Sequence, residues 1–356
     1  MAFEKGKMNF SVLVSVEGVG DEFEDSVVAE AYKDAKPTLD TPVEDFSAGI
    51  SLADAAAASK DRFFVGSQFY ASTRKKEYKL PKSRLKEEIE MVLHEEVVRN
   101  GGERVSSKRK KELVENVKTA MQSQAQLELG GSRFALCPDR KRIIVEATSD
   151  SKLDEVLIAI TAAVPMNVVK DLTAYSPEFL YELATQKNPA GYQPLTIAGR
   201  HSSEGIGRDF LTWLWAASET DGAINGLTVA LTGMIQLDGE DDGTGPVTVI
   251  LKDGAPAIGA EVNAVLAQGK KVSKAEFSIA DGDLVYRAVI DEKFHFKGFA
   301  GPSGTDKGAS AGERFDARIM DCIAFQKILE RAFKEFCKDD SQLVVNAWEI
   351  LRQLKK

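Results

Sequence analysis

Cysteine is scarce in this chain: Cys137, Cys322 and Cys337 are the three present in 356 residues. An odd number at wide spacing supplies neither a disulfide framework nor a zinc-binding pair. A reducing cytoplasm is therefore the expected compartment, with the thiols as ordinary core or surface groups. Histidine is equally sparse. His94, His201 and His295 show no metal-ligand spacing and have no cysteine beside them, so no metal site is expected. No run of about 18 apolar residues exists, which argues against a membrane-spanning helix. Glu4, Lys5 and Lys7 have no apolar stretch behind them, and a secretory signal is not expected. Positive charge is also short overall. The net charge is −9, and taken alone this argues against nucleic acid, because phosphate affinity comes from Lys and Arg releasing counterions.

What is present is an ordinary globular composition, 43% apolar and 28% charged, long enough for more than one compact unit. The charge is unevenly spread. From Arg74 to Lys118 there are 14 Lys or Arg against 9 Asp or Glu, a net of +5 that leaves −14 to the remainder. Arg74, Lys75, Lys76, Lys79, Lys82, Arg84 and Lys86 lead into one expected helix, and Arg104, Lys108, Arg109, Lys110 and Lys111 open the next. Cations at a helix N-terminus oppose the helix dipole by a few tenths of a kcal/mol each. A docking anion would remove that conflict; a solvated helix start balanced by Glu112 and Glu115 would also tolerate it. The aromatics nearby are Phe69, Tyr70 and Tyr78, too few to signal base stacking. Contact with the backbone of a duplex fits better than base readout.

Apolar spacing predicts strands at 8–16 and 63–72, and a helix at 22–33. Pro37, Pro42 and Gly49 mark a loop, and Asp54 is placed to cap a short helix over 55–58. A helical pair spans about 81–122: Leu85, Ile89, Leu93 and Val97 form one stripe, Leu113, Val114, Val117 and Met121 the other, with Gly101 and Gly102 between. A hairpin over 133–147 and a helix at 153–163 follow. Pro165, Pro177, Pro189 and Pro194 make 165–195 irregular, and the boundary between an N-terminal half (1–165) and a C-terminal half (166–356) is placed there. The helix at 208–219 is apolar almost all round, which suits a buried core helix or a subunit interface, core being favoured. Strands at 227–237, 247–251, 273–279, 284–290 and 294–297, a helix at 261–267, a glycine-rich loop at 298–312 and helices at 314–338 and 342–354 complete the reading. This order predicts an α+β fold, with antiparallel sheets and packed helices and no βαβ rhythm.

Enzyme motifs are weak. Asp238 to Gly243 resembles the opening of a calcium loop, but the twelfth position is Val249 where a Glu is needed. The stretch at 238–246 reads as an acidic turn. Gly269-Lys270-Lys271 lacks both the earlier glycine and the following Ser or Thr of a phosphate loop, since Ala264 and Lys271 stand there. Pro138-Asp139-Arg140-Lys141 reads as a hairpin turn rather than a nuclease core. His94 reads as a helix-surface histidine. No catalytic residue and no cofactor is indicated.

Three stretches resemble the RdgC-like, recombination-associated family. Leu80-Pro-Lys-Ser-Arg-Leu-Lys-Glu-Glu-Ile-Glu90 with Gly101-Gly-Glu-Arg-Val-Ser106 and Lys108-Arg-Lys-Lys-Glu-Leu113 looks like its helical pair. Gly207-Arg-Asp-Phe-Leu-Thr-Trp-Leu-Trp215 is similar to a second hallmark, and Gly269-Lys-Lys-Val-Ser-Lys274 to a third. The likeness runs from about residue 9 to 336. It departs at Ala120-Met121-Gln122-Ser123, where many relatives have a Leu-Pro-basic step. The resemblance implies an elongated or horseshoe-shaped protomer that closes with a second copy into a ring around DNA. It implies binding of double- and single-stranded DNA with little sequence preference, and restraint of a RecA-type recombinase in the nucleoid. Phosphate contacts are expected at Lys75, Lys76, Lys82, Arg84, Arg104, Lys108, Arg109, Lys111, Lys270 and Lys274. Two alternatives stay open: a metal-dependent exonuclease, and a recombinase-interaction module that does not touch DNA.

Overall fold

The computed structural model describes residues 6–33, 35–38, 41–49, 59–195, 205–220, 223–241, 245–252, 260–305, 308–338 and 349. In chain order the elements are β1 (Met8–Val14), α1 (Phe23–Ala29), β2 (Val43–Ala48), β3 (Phe64–Val65), β4 (Gln68–Lys79), α2 (Lys82–Arg99), α3 (Ser107–Ala120), β5 (Gln126–Gly130), β6 (Arg133–Leu136), β7 (Arg142–Val145), α4 (Asp150–Ala163), β8 (Thr173–Ala174), α5 (Pro177–Thr185) and α6 (Ile206–Ser218). They continue with β9 (Ala223–Ile224), β10 (Leu227–Asp241), β11 (Gly245–Leu251), α7 (Ala260–Leu266), β12 (Lys271–Asp281), β13 (Leu284–Asp291), β14 (Phe296–Ala300) and α8 (Ala311–Phe336). The fold is α+β, and its named strands pair antiparallel in one 14-stranded sheet of order β11-β10-β12-β13-β14-β1-β7-β6-β4-β2. The short helix expected at 55–58, most of the helix expected at 342–354, and His201 lie outside the described residues.

β1 is the seam. It bonds to β14 through Met8↔Phe299 and Phe10↔Phe296, and to β7 through Ser11↔Val145 to Val14↔Arg142. Its side chains alternate between faces. Met8, Phe10, Val12 and Val14 join a large core built mainly from α6, α8 and β9–β14, whereas Leu13 joins a smaller core with α1, α4, β4 and β6. The sheet therefore runs unbroken from residues before the 165/166 boundary into residues after it.

α6 explains its all-round apolar sequence by position. It packs on β10 and β12 on one side and on α5 and α8 on the other, and Trp213 and Trp215 are both fully buried. Gly207 allows this approach: a Cβ there would sit 1.8 Å from the carbonyl oxygen of Glu292. α8 begins with a capping box, in which Ser310 Oγ accepts from Glu313 N–H and the Glu313 carboxylate accepts from Ser310 N–H. Among the described residues no helix is long and apolar enough to cross a membrane.

Several elements differ from expectation. β5 was not expected, and of the expected acidic turn at 238–246 residues 238–241 and 245–246 are paired strand in β10 and β11. The segment around 43–48 is strand β2 rather than loop. The second expected strand extends to Lys79, so the cations at 74–79 ride on β4 instead of leading into α2. The proline-rich stretch contains helix α5, with Ser176 Oγ accepting from Phe179 N–H and Pro177 in the first turn.

Candidate nucleic-acid interface

The basic segment forms an arm. β4 outruns β6 and pairs with β5 from Lys75↔Gly130 to Lys79↔Gln126, a two-stranded ribbon that carries α2 and α3. Because the ribbon joins the start of α2 to the end of α3, the two helices run antiparallel. A capped start supports α3: Ser106 Oγ accepts from Arg109 N–H, while the first turn holds no acidic residue. The pair buries little. Leu113 and Val117 are buried between the helices, whereas Met91 is 52% exposed and Val98 64%. On the ribbon, Tyr78, Leu127 and Leu129 are also exposed.

Strand periodicity decides the fate of the first basic cluster. Side chains on β4 point alternately to opposite faces, which splits the run 74–79 in two. On one face Arg74 donates two bonds to Asp45, at 2.6 and 2.5 Å, and is 5% exposed. Its guanidinium also lies 5.0 Å from the centre of the Tyr32 ring. Lys76 follows at 3.4 Å from the same carboxylate and donates to the Lys33 carbonyl. On the other face Glu77 takes Lys75 at 3.4 Å and Lys79 at 2.5 Å, and Lys79 also meets Glu128 at 3.0 Å. The hydrogen bond from Lys79 is the main reason the Glu77 carboxyl is held below its usual range. The neighbouring cleft of about 710 Å³ is balanced in the same way. Lys33, Arg74, Lys75, Lys79 and Lys152 face Glu30, Glu44, Asp45, Glu77 and Glu155 there. Lys75 and Lys76 are thus matched by carboxylates before any ligand arrives.

The helices divide differently. Arg109 is a strut: it donates to Glu96 on α2 at 2.8 Å and meets Glu112 at 3.4 Å. This pairing holds the Glu96 carboxyl low and the Arg109 guanidinium high. Lys82, Arg84, Arg104, Lys108, Lys110 and Lys111 are exposed, and none has a carboxylate within 4 Å among the described residues. They do not form one cluster. Lys82 and Arg84 stand at the root of the arm; Arg104, Lys108, Lys110 and Lys111 stand at its tip. At 1.5 Å per residue the 18 residues of α2 separate the two groups by about 27 Å. Between them α2 carries Glu87, Glu88, Glu90 and Glu95.

The third stretch is split as well. Lys270 is 3% exposed and donates to Gln268 Oε1 at 2.9 Å, so it does not face solvent. Lys271 is fully buried, 2.6 Å from Asp209 of α6. Lys274 lies on the solvent face of β12, half-buried. Burial first, and then the ammonium of Lys297, hold it below the ordinary lysine range. Lys297, Lys252 and Arg287 were not singled out from sequence, because nothing in their local pattern marks them. Only the strand register brings them to the same face as Lys274.

One further constellation was invisible in sequence. Ser11 Oγ is 2.6 Å from His295 Nδ1, and His295 Nε2 is 3.0 Å from Asp150 Oδ1. The contacts are those of a nucleophilic triad, but the setting is structural. Ser11 is 1% exposed and donates its proton to the Ala147 carbonyl at 2.7 Å. The group staples β1 to the start of α4, with Lys293 on the same aspartate. His94 is exposed on α2, and Cys137 and Cys322 are buried with their thiols pushed up by burial. Among the described residues no group of three or more His, Cys, Asp or Glu is placed to hold a metal ion. In comparison with known proteins, no family model matches the chain, and no curated protein matches it.

Proposed function

We propose that this chain binds DNA through phosphate contacts without reading base sequence, and that two copies close into a ring around the duplex. The observation that carries this reading is the set of cations at the arm tip: Arg104, Lys108, Lys110 and Lys111 are exposed, with no carboxylate within 4 Å among the described residues. Lys108 and Lys111 are three residues apart and share a helix face, and the start of α3 adds the positive end of its dipole. Lys82 and Arg84, about 27 Å away by the length of α2, offer a second contact to the same long polyanion. Lys75, Lys76, Arg109 and Lys270 act as structural cations in this scheme. The exposed Tyr78, Leu127, Leu129, Met91 and Val98 give the arm an apolar surface for the second copy. The resemblance to the RdgC-like family supports the ring, the lack of sequence preference, and a role in the nucleoid restraining a RecA-type recombinase.

A mobility-shift titration with a 30-base-pair duplex tests the reading. Retardation of intact DNA at low salt, strongly weakened in Lys108→Glu/Lys110→Glu/Lys111→Glu, is the expected result. Absence of retardation by the wild type would leave the protein-interaction alternative, and magnesium-dependent shortening of the DNA would favour the nuclease.

A further inference from the structure

The outward face of the sheet carries a second group of cations without ion pairs among the described residues, far from the arm. Gln236 of β10, Lys274 of β12 and Asp291 of β13 lie in one cross-strand row, because Gln236 pairs with Lys274 and Lys274 with Asp291. Lys297 of β14 pairs with Val289, two residues from Asp291 and therefore on the same face. Lys252 follows β11 two residues after Ile250, the partner of Gln236. The opposite face, with Ile235, Ala275, Phe277 and Ile290, is buried in the core. Lys274 and Lys297 are two strands apart, about 9.6 Å, and offset by two residues, about 6.6 Å, along the strands, a diagonal that two long lysine stems can close. Their proximity shows in Lys274, whose ammonium is disfavoured by burial, by Lys297 and by Lys252, with Asp291 opposing.

The carboxylates on this face are partly engaged elsewhere, although Asp291 stays beside Lys274 and favours its charge. Asp291 Oδ1 accepts from the backbone N–H groups of Lys293 and His295. The Glu276 carboxylate folds over Gly233, where an added Cβ would be 2.1 Å from it. No carboxylate lies within 4 Å of Lys252, Lys274 or Lys297 among the described residues. Three ammonium groups share the nearby carboxylate of Asp291 without an ion pair to it among the described residues, so a net positive charge remains, and an anion with several oxygens relieves the repulsion. β12 and β4 are six strands apart in the sheet order, about 29 Å along the sheet. A single ligand that touched both cationic surfaces would span that distance, as a polymer of phosphates does.

We propose that Lys252, Lys274 and Lys297 form a second phosphate-binding patch, which takes the backbone of the same DNA at a distance from the arm. This rests on the DNA reading above. Two measurements test it. In the first, the salt dependence of duplex binding is compared between wild type and Lys252→Gln/Lys274→Gln/Lys297→Gln. Each lost contact makes the slope of log K against log salt shallower by about 0.9, so a change of roughly 2 to 3 is expected. In the second, lysine reactivity is followed by reductive methylation and mass spectrometry, with saturating duplex or with inorganic pyrophosphate at equal phosphate concentration. Strong protection by duplex and weak protection by pyrophosphate is expected at all three lysines. An unchanged slope, with the three lysines fully reactive while Lys108 and Lys111 are protected, would overturn the patch and leave the DNA reading standing. Equal protection by pyrophosphate would make it a small-anion site and also overturn it. A wild type that fails to retard duplex at all would remove the DNA reading and the patch with it.

Discussion

The pair Lys271–Asp209 separates a cation that serves the fold from one that serves a ligand. Both side chains are fully buried and 2.6 Å apart. The other carboxylate oxygen accepts from Tyr192 Oη at 2.9 Å and from Leu195 N–H at 2.6 Å. The Lys271 ammonium has no other hydrogen-bond partner among the described residues, so its desolvation is incompletely compensated. In Lys271→Met the stem is kept and the charge removed, which leaves Asp209 buried without its cation. Breaking one side of a buried pair costs about 3–5 kcal/mol. At about 2.1 cal/mol/K of unfolding entropy per residue, a chain of 356 residues shifts by about 1.3 °C per kcal/mol, so the fall in Tm is roughly 5 °C. Burial already pushes the Asp209 carboxyl up, with Lys271 opposing; without Lys271 it rises further. A folded carboxyl above its unfolded value penalises folding at pH values above the unfolded pKa. The deficit of Lys271→Met is therefore largest at neutral pH and shrinks as pH falls toward the ordinary carboxylate range. Adding Asp209→Asn, which keeps an acceptor for Tyr192 and Leu195, recovers at least half of the loss. Urea denaturation at pH 7 and pH 5 reads all of this. A loss under about 1 kcal/mol, or a double variant no more stable than the single, would refute the reasoning. The salt dependence of DNA binding is expected to be unchanged in the folded single variant.

Three other outcomes follow from the same structure. Glu96→Gln releases Arg109 from its strut, and the slope of log K against log salt is expected to steepen by about one contact, with helicity checked by circular dichroism. Gly207→Ala forces a Cβ against the Glu292 carbonyl, which backbone cannot yield; a loss of at least about 2 kcal/mol is expected in urea denaturation. Asp150 is held below its usual range chiefly by its hydrogen bond from Lys293, aided by His295. Its contribution is present above the unfolded carboxylate pKa and lost as pH falls through the lower folded value, so Asp150→Asn should flatten the acid limb of the stability–pH curve.

The long periodic elements were legible because their patterns report burial directly. The strand at 8–16, the helical pair, the all-round apolar α6 and the body of the helix expected at 314–338 each correspond to an element in place, although α8 starts three residues earlier, at Ala311. β2 and β5 were not legible. β2 follows Pro42 and mixes Glu44 and Asp45 with Phe46, and the reason for those acids is tertiary: Asp45 is the partner of Arg74 and Lys76. β5 is exposed along its whole length, so no burial pattern marks it. α5 could have been read from Ser176-Pro177-Glu178, a capping serine before a first-turn proline, had four prolines not argued for a loop. For the site, sequence located the cations but not their partners. Lys75, Lys76 and Arg109 share a composition with Lys108 and Lys111, yet carboxylates occupy the first group: Glu77, two residues along β4, for Lys75; Asp45, 31 residues away in β2, for Lys76; and Glu96, 13 away in α2, for Arg109. The sheet lysines depend on pairings across β10 to β14, which no local motif encodes.

The most direct measurement is fluorescence anisotropy of two duplexes, equal in length and unrelated in sequence, titrated with the wild-type protein from 50 to 300 mM salt. Sequence-independent phosphate contact gives equal affinities for the two duplexes and a steep common slope, of magnitude up to about 3.6 per copy from the four arm-tip cations alone. A shallow slope, or affinities that differ tenfold between the duplexes, would contradict it.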